Sequence, residues 1–538
     1  FRMHNHNTRQ PELDFFNFSE AWLNAFSQVI GKIVTRKELL ACLLEPGPVG
    51  RLRKEWQSFV GSRMTETAKW LRERVAAVSP TTRLALMVSD PDVHSLEGRQ
   101  WPSLLGELSG DFRPLIRPPN GIYTSTNRPI KDHACSFRYF GRTMATVDAA
   151  MGAGIVEYAP ELENARFTTW AKPVAGSTFC ITLAFLMGAS EITMSIFDLE
   201  GSPLAEEPSN LPMLKALKPQ MDAINQLNLS EARNRGCVFL VDPDLGQKVR
   251  SDRKGSRLDS LLPPRRWEEI LSTSGIPLCY STPEDAVNSQ EVVFLDKQTA
   301  WLPSDEELRS LLAGRLFLDA EAARVLCDRG FSADVKVGVV GERKDYAAQS
   351  EIFNRSGFFN FDTRRVPHKG FDWYELNANG ASVLSEFIDP RGNLLPGFCA
   401  VETPSGGRII ISATVGEMEP YAVFGNHTRL RFLREMLKWL YAGRALPVLA
   451  ELPHHSLMIE RELHGEVILS VANLGVDILK DINLLWEGEP PRSGLCLGDD
   501  GLWKRLEGLD ASSGRLTLND INLGPLNWAV FRFNNTPI

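Results

Sequence analysis

From Phe1 to about residue 230, short apolar runs of strand length alternate with helical stretches, and this alternation constrains the fold more than any other feature of the chain. Apolar residues three and four positions apart mark helices at 21–44 and 52–78, with Trp22, Phe26, Val29 and Ile33 on one stripe. Strand-like runs follow at 83–89, 112–117, 154–158 and 191–197, with helices between them at 137–151 and 177–187. A strand, a helix and another strand in succession build a parallel sheet with crossover helices. In such sheets polar groups gather at the C-terminal ends of the strands, and each of the four runs is followed by a loop rich in glycine, proline, charge or aromatic rings.

A second alternating unit begins near Gly236. Its strands are predicted at 237–241, 277–279, 292–295, 315–318, 335–340, 397–402 and 408–413, and its helices at 267–272, 305–312, 320–329 and 428–441. Ser304-Asp-Glu-Glu307 is a capping box for the second of these helices, and Asp319 is placed to cap the third. From Leu446 onward, the runs 465–472, 478–486, 515–518 and 527–533 alternate with turn residues and predict a small antiparallel sandwich. The expected architecture is α/β, with domain boundaries at 1–232, 233–445 and 446–538. A length of 538 residues agrees, since it is too great for one core and suits about three.

Charge and apolar patterning exclude several classes. A formal net charge of −8 argues against a nucleic-acid partner, which needs a concentrated basic surface. No window reaches the roughly 18 to 20 uninterrupted apolar residues of a membrane span. The nearest, 174–189, is interrupted by Gly176, Ser177, Thr178 and Thr182 and reads as a buried helix. The eight cysteines are scattered without paired short spacings, which predicts reduced core residues in a cytoplasmic protein, with neither disulfide frame nor zinc site. Gly338-Val-Val-Gly341 lacks the glycine spacing of a dinucleotide loop, and His4 with His6 supplies too few ligands for a metal, so no cofactor or metal is expected. The basic run 248–257 and the pair His454-His455 read as solvated loop and linker.

The densest group of chemical side chains is Gly154-Ile-Val-Glu-Tyr-Ala-Pro-Glu-Leu-Glu-Asn164, an apolar run ending in two carboxylates and an amide. Two residues apart on an extended chain, Glu161 and Glu163 share a face. Phe167, Trp170 and Lys172 follow closely, and the next run ends in Phe197-Asp198. Aromatic rings beside carboxylates suit sugars, whose apolar faces stack while their hydroxyls take charged hydrogen-bond partners. Arg99 and Trp101 after one strand, and Arg117 and Tyr123 after the next, read as further hydroxyl-binding and stacking groups.

These residues carry a family resemblance. The order of a barrel half, a doubly wound domain and a terminal sandwich, together with Glu97-Gly-Arg-Gln-Trp101, Ile116-Arg117-Pro-Pro, Glu161-Leu-Glu-Asn164 and the segment from Arg315 to Gly330, resembles the glycoside hydrolase family 42 β-galactosidases and the related family 164 β-mannosidases. The resemblance implies the C-terminal half (strands 5 to 8) of a (β/α)8 TIM barrel, then a flavodoxin-like trimerisation domain and a small β-sandwich. It implies a retaining exo-β-glycosidase acting on an oligosaccharide or other β-glycoside, assembled as a homotrimer. Glu163 would be the nucleophile at the end of barrel strand 7, with Glu161 as the fallback. Arg99, Arg117, Asn164, Lys172 and Asp198 would bind hydroxyls, and Trp101, Tyr123 and Trp170 would stack. Phe1-Arg2-Met-His4-Asn-His6 looks like the segment following barrel strand 4, so Arg2, His4 and His6 would touch substrate and the acid/base Glu would precede residue 1. By that alignment the chain is an N-terminally truncated fragment, inactive alone. The alternative expectation is a non-catalytic carbohydrate-binding or oligomerisation protein that keeps the barrel as a relic.

Overall fold

The computed structural model describes residues 18–120, 129–163, 172–189, 191–195, 209–251, 258–368, 371–414, 424–452, 455–512 and 514–534. They fall into two compact units. The first comprises Phe1–Pro119, Tyr139–Pro160 and Val241–Pro264, and the second comprises Asn120–Arg138, Glu161–Leu240 and Arg265–Ile538.

In the first unit, the helix predicted at 21–44 is two helices, Glu20–Ile30 and Arg36–Leu43. Gly31 breaks it by adopting a left-handed φ of 69°, and the Thr35 hydroxyl restarts it by accepting from the Glu38 amide. The expected apolar stripe is therefore shorter: Phe26 is fully buried, but Val29 is exposed and Ile33, beyond the break, is 84% exposed. Phe26 packs edge-on to Trp56, and Trp22 edge-on to Phe59, both partners lying on the long helix Arg51–Val78. Strands Ala85–Met87, Leu115–Arg117 and Glu157–Tyr158 form a parallel sheet in chain order, with Ala85 opposite Leu115 and Leu115 opposite Glu157. Helices Pro91–Leu96 and Trp101–Ser109 follow the first strand.

The second unit opens with a two-stranded parallel sheet of Glu161–Glu163 and Thr193–Ser195. The two carboxylates thus lie on a strand of their own. Pro160, without an N–H to give to a ladder, separates it from Glu157–Tyr158. Helix Val174–Leu186 buries nine of its thirteen residues, in keeping with its apolar run.

Next comes a nine-stranded mixed sheet. Five parallel strands lie side by side in the order Leu278–Ser281, Cys237–Leu240, Val293–Leu295, Arg315–Asp319 and Arg408–Ser412, which in chain order is 2-1-3-4-5. Leu394–Glu402, Ser382–Ile388, Ser350–Phe353 and Arg364–Pro367 extend it antiparallel. The capping box closes as expected, with Ser304 N donating to Glu307 Oε2 at 2.6 Å and Glu307 N to Ser304 Oγ at 3.2 Å. Asp319 likewise accepts from Ala322 N at 2.6 Å. The strand predicted at 335–340 is displaced to Gly338–Arg343 and leaves this sheet, pairing antiparallel with Trp373–Asn377.

The chain ends in two antiparallel sheets, one of four strands and one of six, the larger taking Arg233–Arg235 as its edge strand beside Ser456–Leu463. They share a core that includes Met458, Leu469, Val471 and Phe531 from the larger and Ile482, Leu484, Leu516 and Leu518 from the smaller.

Candidate functional site

Two groups of polar side chains stand at the strand ends, one in each unit. In the first unit, the chain leaves Ala85–Met87 through Val88, whose amide donates to the Arg117 carbonyl, and reaches Ser89 and Asp90. Asp90 caps the next helix by accepting from Asp92 N, and Pro91 takes the first helical position, where no N–H is needed. One turn later His94 reaches back over the strand end. Its Nε2 lies 2.9 Å from the Ser89 amide nitrogen and 3.1 Å from Ser89 Oγ, and its Nδ1 lies 3.2 Å from Glu97 Oε2. An amide can only donate, so Nε2 is the accepting nitrogen, and the ring proton sits on Nδ1 and is given to Glu97.

Gly98 then turns the chain with a φ of 88°, a conformation open to glycine, and the Arg99 amide binds the His94 carbonyl at 3.0 Å. Arg99 is 5% exposed, and its Nε and Nη1 have no hydrogen bond. Burial lowers its pKa to about 10 against the opposing pull of Glu97. The guanidinium lies 5.1 Å from the centre of the Trp101 ring, which also meets His94 edge-on. This helix and turn are clamped from several sides. Ser95 Oγ donates to Pro243 O at 2.7 Å, Gln57 Nε2 to Leu96 O at 3.0 Å, and Arg142 Nη1 to Asp92 Oδ2 at 3.3 Å.

In the second unit, Glu161 pairs with Thr193 and Glu163 with Ser195 in a parallel register, and Leu162 between them is buried. The Glu161 carbonyl accepts from Asn120 N at 3.1 Å. Asn120 is fully buried; its Nδ2 donates to Cys180 O at 2.7 Å, and its Oδ1 is without a hydrogen bond. Lys172, just before helix Val174–Leu186, is buried. Its charge draws the Cys180 thiol pKa down against the larger effect of burial, which raises it.

Of the residues expected from sequence, Arg99 and Trp101 are brought together, as are Glu161 and Glu163 on their strand. Arg117 ends the second strand, with its guanidinium on the Met87 sulfur. Arg2, His4, His6, Tyr123, Asn164, Trp170 and Asp198 lie outside the described residues, as does the side chain of Glu163. Sequence reasoning passed over Ser89, His94 and Asn120, and treated Glu97 only as part of a motif. The available signal was the spacing of His94 and Glu97, three apart and hence adjacent on one helical face. Among the described residues no group of three His, Cys, Asp or Glu side chains could hold a metal, and no helix is long and apolar enough to cross a membrane.

No protein-family model matches the chain, and neither does any curated protein. Solved structures do. The β-galactosidase of Bacillus circulans sp. alkalophilus is 12% identical, with a TM-score of 0.55 over 90% of this chain and 68% of that one. Gan42B, a GH42 β-galactosidase from G. stearothermophilus, is 10% identical, with a TM-score of 0.55 over 96% of this chain and 75% of its own. The α-L-fucosidase isoenzyme 2 of Paenibacillus thiaminolyticus is 12% identical, with a TM-score of 0.57 over 96% and 75%. At such identities the likeness is one of fold: the chain has the mixed α/β fold of the GH42 β-galactosidases.

Proposed function

We propose that the protein is a retaining exo-β-glycosidase of the β-galactosidase or β-mannosidase type, with Glu163 as nucleophile and Glu161 as its fallback. The observation that carries this reading is the short parallel strand that bears Glu161 and Glu163 two positions apart, in a chain whose fold is that of the GH42 β-galactosidases. In a retaining enzyme, one carboxylate attacks the anomeric carbon and forms a covalent glycosyl-enzyme. A second carboxylic acid, about 5 Å away, protonates the leaving oxygen and later takes the proton of the attacking water. In this reading Arg99, Arg117, Asn164, Lys172 and Asp198 bind hydroxyls, Tyr123 and Trp170 stack on the sugar, and Arg2, His4 and His6 contact it. The buried Trp101 contributes by holding the Arg99 guanidinium.

The organisation proposed with it is a partial barrel over 1–232, a flavodoxin-like domain over 233–445 that assembles a homotrimer, and a β-sandwich over 446–538, in a cytoplasmic protein. The strand order 2-1-3-4-5 supports the middle assignment, being the flavodoxin-like order. The shared core of the two antiparallel sheets supports the last.

The test is a panel of nitrophenyl β-galactoside, β-mannoside and β-glucoside with the protein, wild type and Glu163→Gln. Loss of turnover by roughly 1,000-fold or more in Glu163→Gln supports the assignment. Near-normal turnover there, with loss in Glu161→Gln, transfers the role to Glu161. Near-normal turnover in both removes the strand from the chemistry.

A further inference from the structure

We infer that Ser89, His94 and Glu97 act as nucleophile, general base and orienting carboxylate in the cleavage of acyl esters, giving the chain a hydrolytic activity distinct from glycoside cleavage.

The arrangement meets the geometric requirements of such a site in sequence. Nucleophile and base are within hydrogen-bond reach, Ser89 Oγ lying 3.1 Å from His94 Nε2. The base is held from behind by a carboxylate, His94 Nδ1 lying 3.2 Å from Glu97 Oε2. The tautomer is the one the reaction needs, because the Ser89 amide obliges Nε2 to be the accepting nitrogen. Exposure is graded in the useful direction: Ser89 is half-buried, whereas His94 at 1% and Glu97 at 5% are shielded from water. Shielding strengthens the pull of Glu97 on the imidazolium formed during the reaction. The three residues stand beyond the C-terminal end of a parallel strand, where loops of this kind of sheet carry chemistry.

A purely structural histidine capping the Ser89 amide would need only Nε2. The hydroxyl at position 89 and the carboxylate at Nδ1 are the additional features, and both are aligned. The amide and the hydroxyl share one acceptor in this state. Reaction therefore requires the Oγ contact to shorten when substrate arrives, as catalytic contacts commonly do.

In the first step, Ser89 Oγ bonds to the ester carbonyl carbon while its proton passes to His94 Nε2. The tetrahedral adduct collapses, the bond to the alkoxy oxygen breaks, and the alcohol leaves with the proton from Nε2. Water then attacks the acyl-serine, giving a proton to Nε2, and the carboxylic acid departs as Ser89 recovers its hydrogen. The net reaction is ester plus water to alcohol plus acid, with no other reactant. The substrate class is an acyl ester, for which p-nitrophenyl acetate is the probe.

The experiment has two arms. Wild-type protein is treated with a fluorophosphonate, and the modified peptide is located by mass spectrometry. Hydrolysis of p-nitrophenyl acetate is measured for wild type, Ser89→Ala, His94→Gln and Glu97→Gln, with thermal melts to confirm folding. The expected result is a single adduct on Ser89, and a fall in kcat of roughly 100-fold or more in Ser89→Ala and His94→Gln at similar KM. Glu97→Gln should also lower kcat chiefly, because it weakens orientation of the base rather than substrate binding. Absence of an adduct on Ser89 in the wild type overturns the proposal without reference to any variant. Equal hydrolysis by wild type and folded Ser89→Ala overturns it as well, since the residual rate then belongs to surface groups.

Discussion

The backbone at Gly98 runs so close to Gln57 that a Cβ added to the glycine would lie 2.3 Å from the Gln57 carbonyl oxygen. Gly98 also has a φ of 88°. Close approach and backbone hand coincide at the residue linking Glu97 to Arg99. Gly98→Ala should therefore cost about 3 kcal/mol of stability, combining a steric clash with a left-handed alanine. Chemical denaturation measures this, and a loss below about 1 kcal/mol would mean that the long helix and the turn are not in contact.

Arg142 and Asp92 form an ion pair at 3.3 Å in which both side chains are 1% exposed. Removing the cation alone leaves a buried carboxylate without its ionic partner. Arg142→Met is expected to destabilise the protein by about 3–5 kcal/mol, and the double variant with Asp92→Asn to recover part of that loss. Equal stability of Arg142→Met and wild type, in a urea titration, would contradict the pairing.

Glu460 is buried 4.0 Å from Arg235 and accepts a hydrogen bond from Val448 N at 2.6 Å. Arg235 is shared with Glu291 and Glu462, at 2.5 and 2.7 Å. Burial pushes the Glu460 pKa up to about 7, more than Arg235 and the Val448 amide pull it down. A carboxyl whose pKa is higher folded than unfolded holds its proton more tightly in the native state. Its stabilising contribution is then complete below about pH 4.5 and is lost as pH rises towards 7, by roughly 3 kcal/mol. Glu460→Gln should flatten the pH dependence of thermal stability across that window. An unchanged slope between wild type and variant would rule out Glu460 as its source.

Asn120 joins the Glu161 strand to helix Val174–Leu186 through its amide and its Nδ2. Asn120→Ala removes one buried hydrogen bond and is expected to cost about 1–2 kcal/mol. Asn120→Asp should cost more at neutral pH, because it sets a buried charge beside the Glu161 strand, and the extra cost should shrink on acidification. Differential scanning calorimetry at two pH values checks both statements; Asn120→Asp as stable as wild type at pH 8 would contradict the burial.

Much of the fold is legible locally. The helix and strand alternation, the capping box of Ser304 and Glu307, the cap at Asp319 and the extended segment bearing Glu161 and Glu163 all depend on residues within a few positions of one another. Local chemistry suffices there because the hydrogen bonds close within a single turn or along one strand. The strands at 350–388 escaped sequence reading because polar residues interrupt them; Arg364–Pro367 buries only Val366. What brings them into the nine-stranded sheet is pairing with neighbours, which alternation alone does not reveal.

The sequence by itself determined most of the helices, the strands of the parallel run and which segments carry carboxylates, because propensity, capping and periodicity act over a few residues. Tertiary structure alone decided that Gly338–Arg343 leaves the main sheet, that Asn120 is buried beside the glutamate strand, and that the helix bearing His94 converges on the strand end at Ser89. That convergence depends on Gln57, Arg142 and the Pro243 carbonyl, all distant in the chain, holding one short helix in place. Contacts of that range are set by packing, and no local pattern of residues records them.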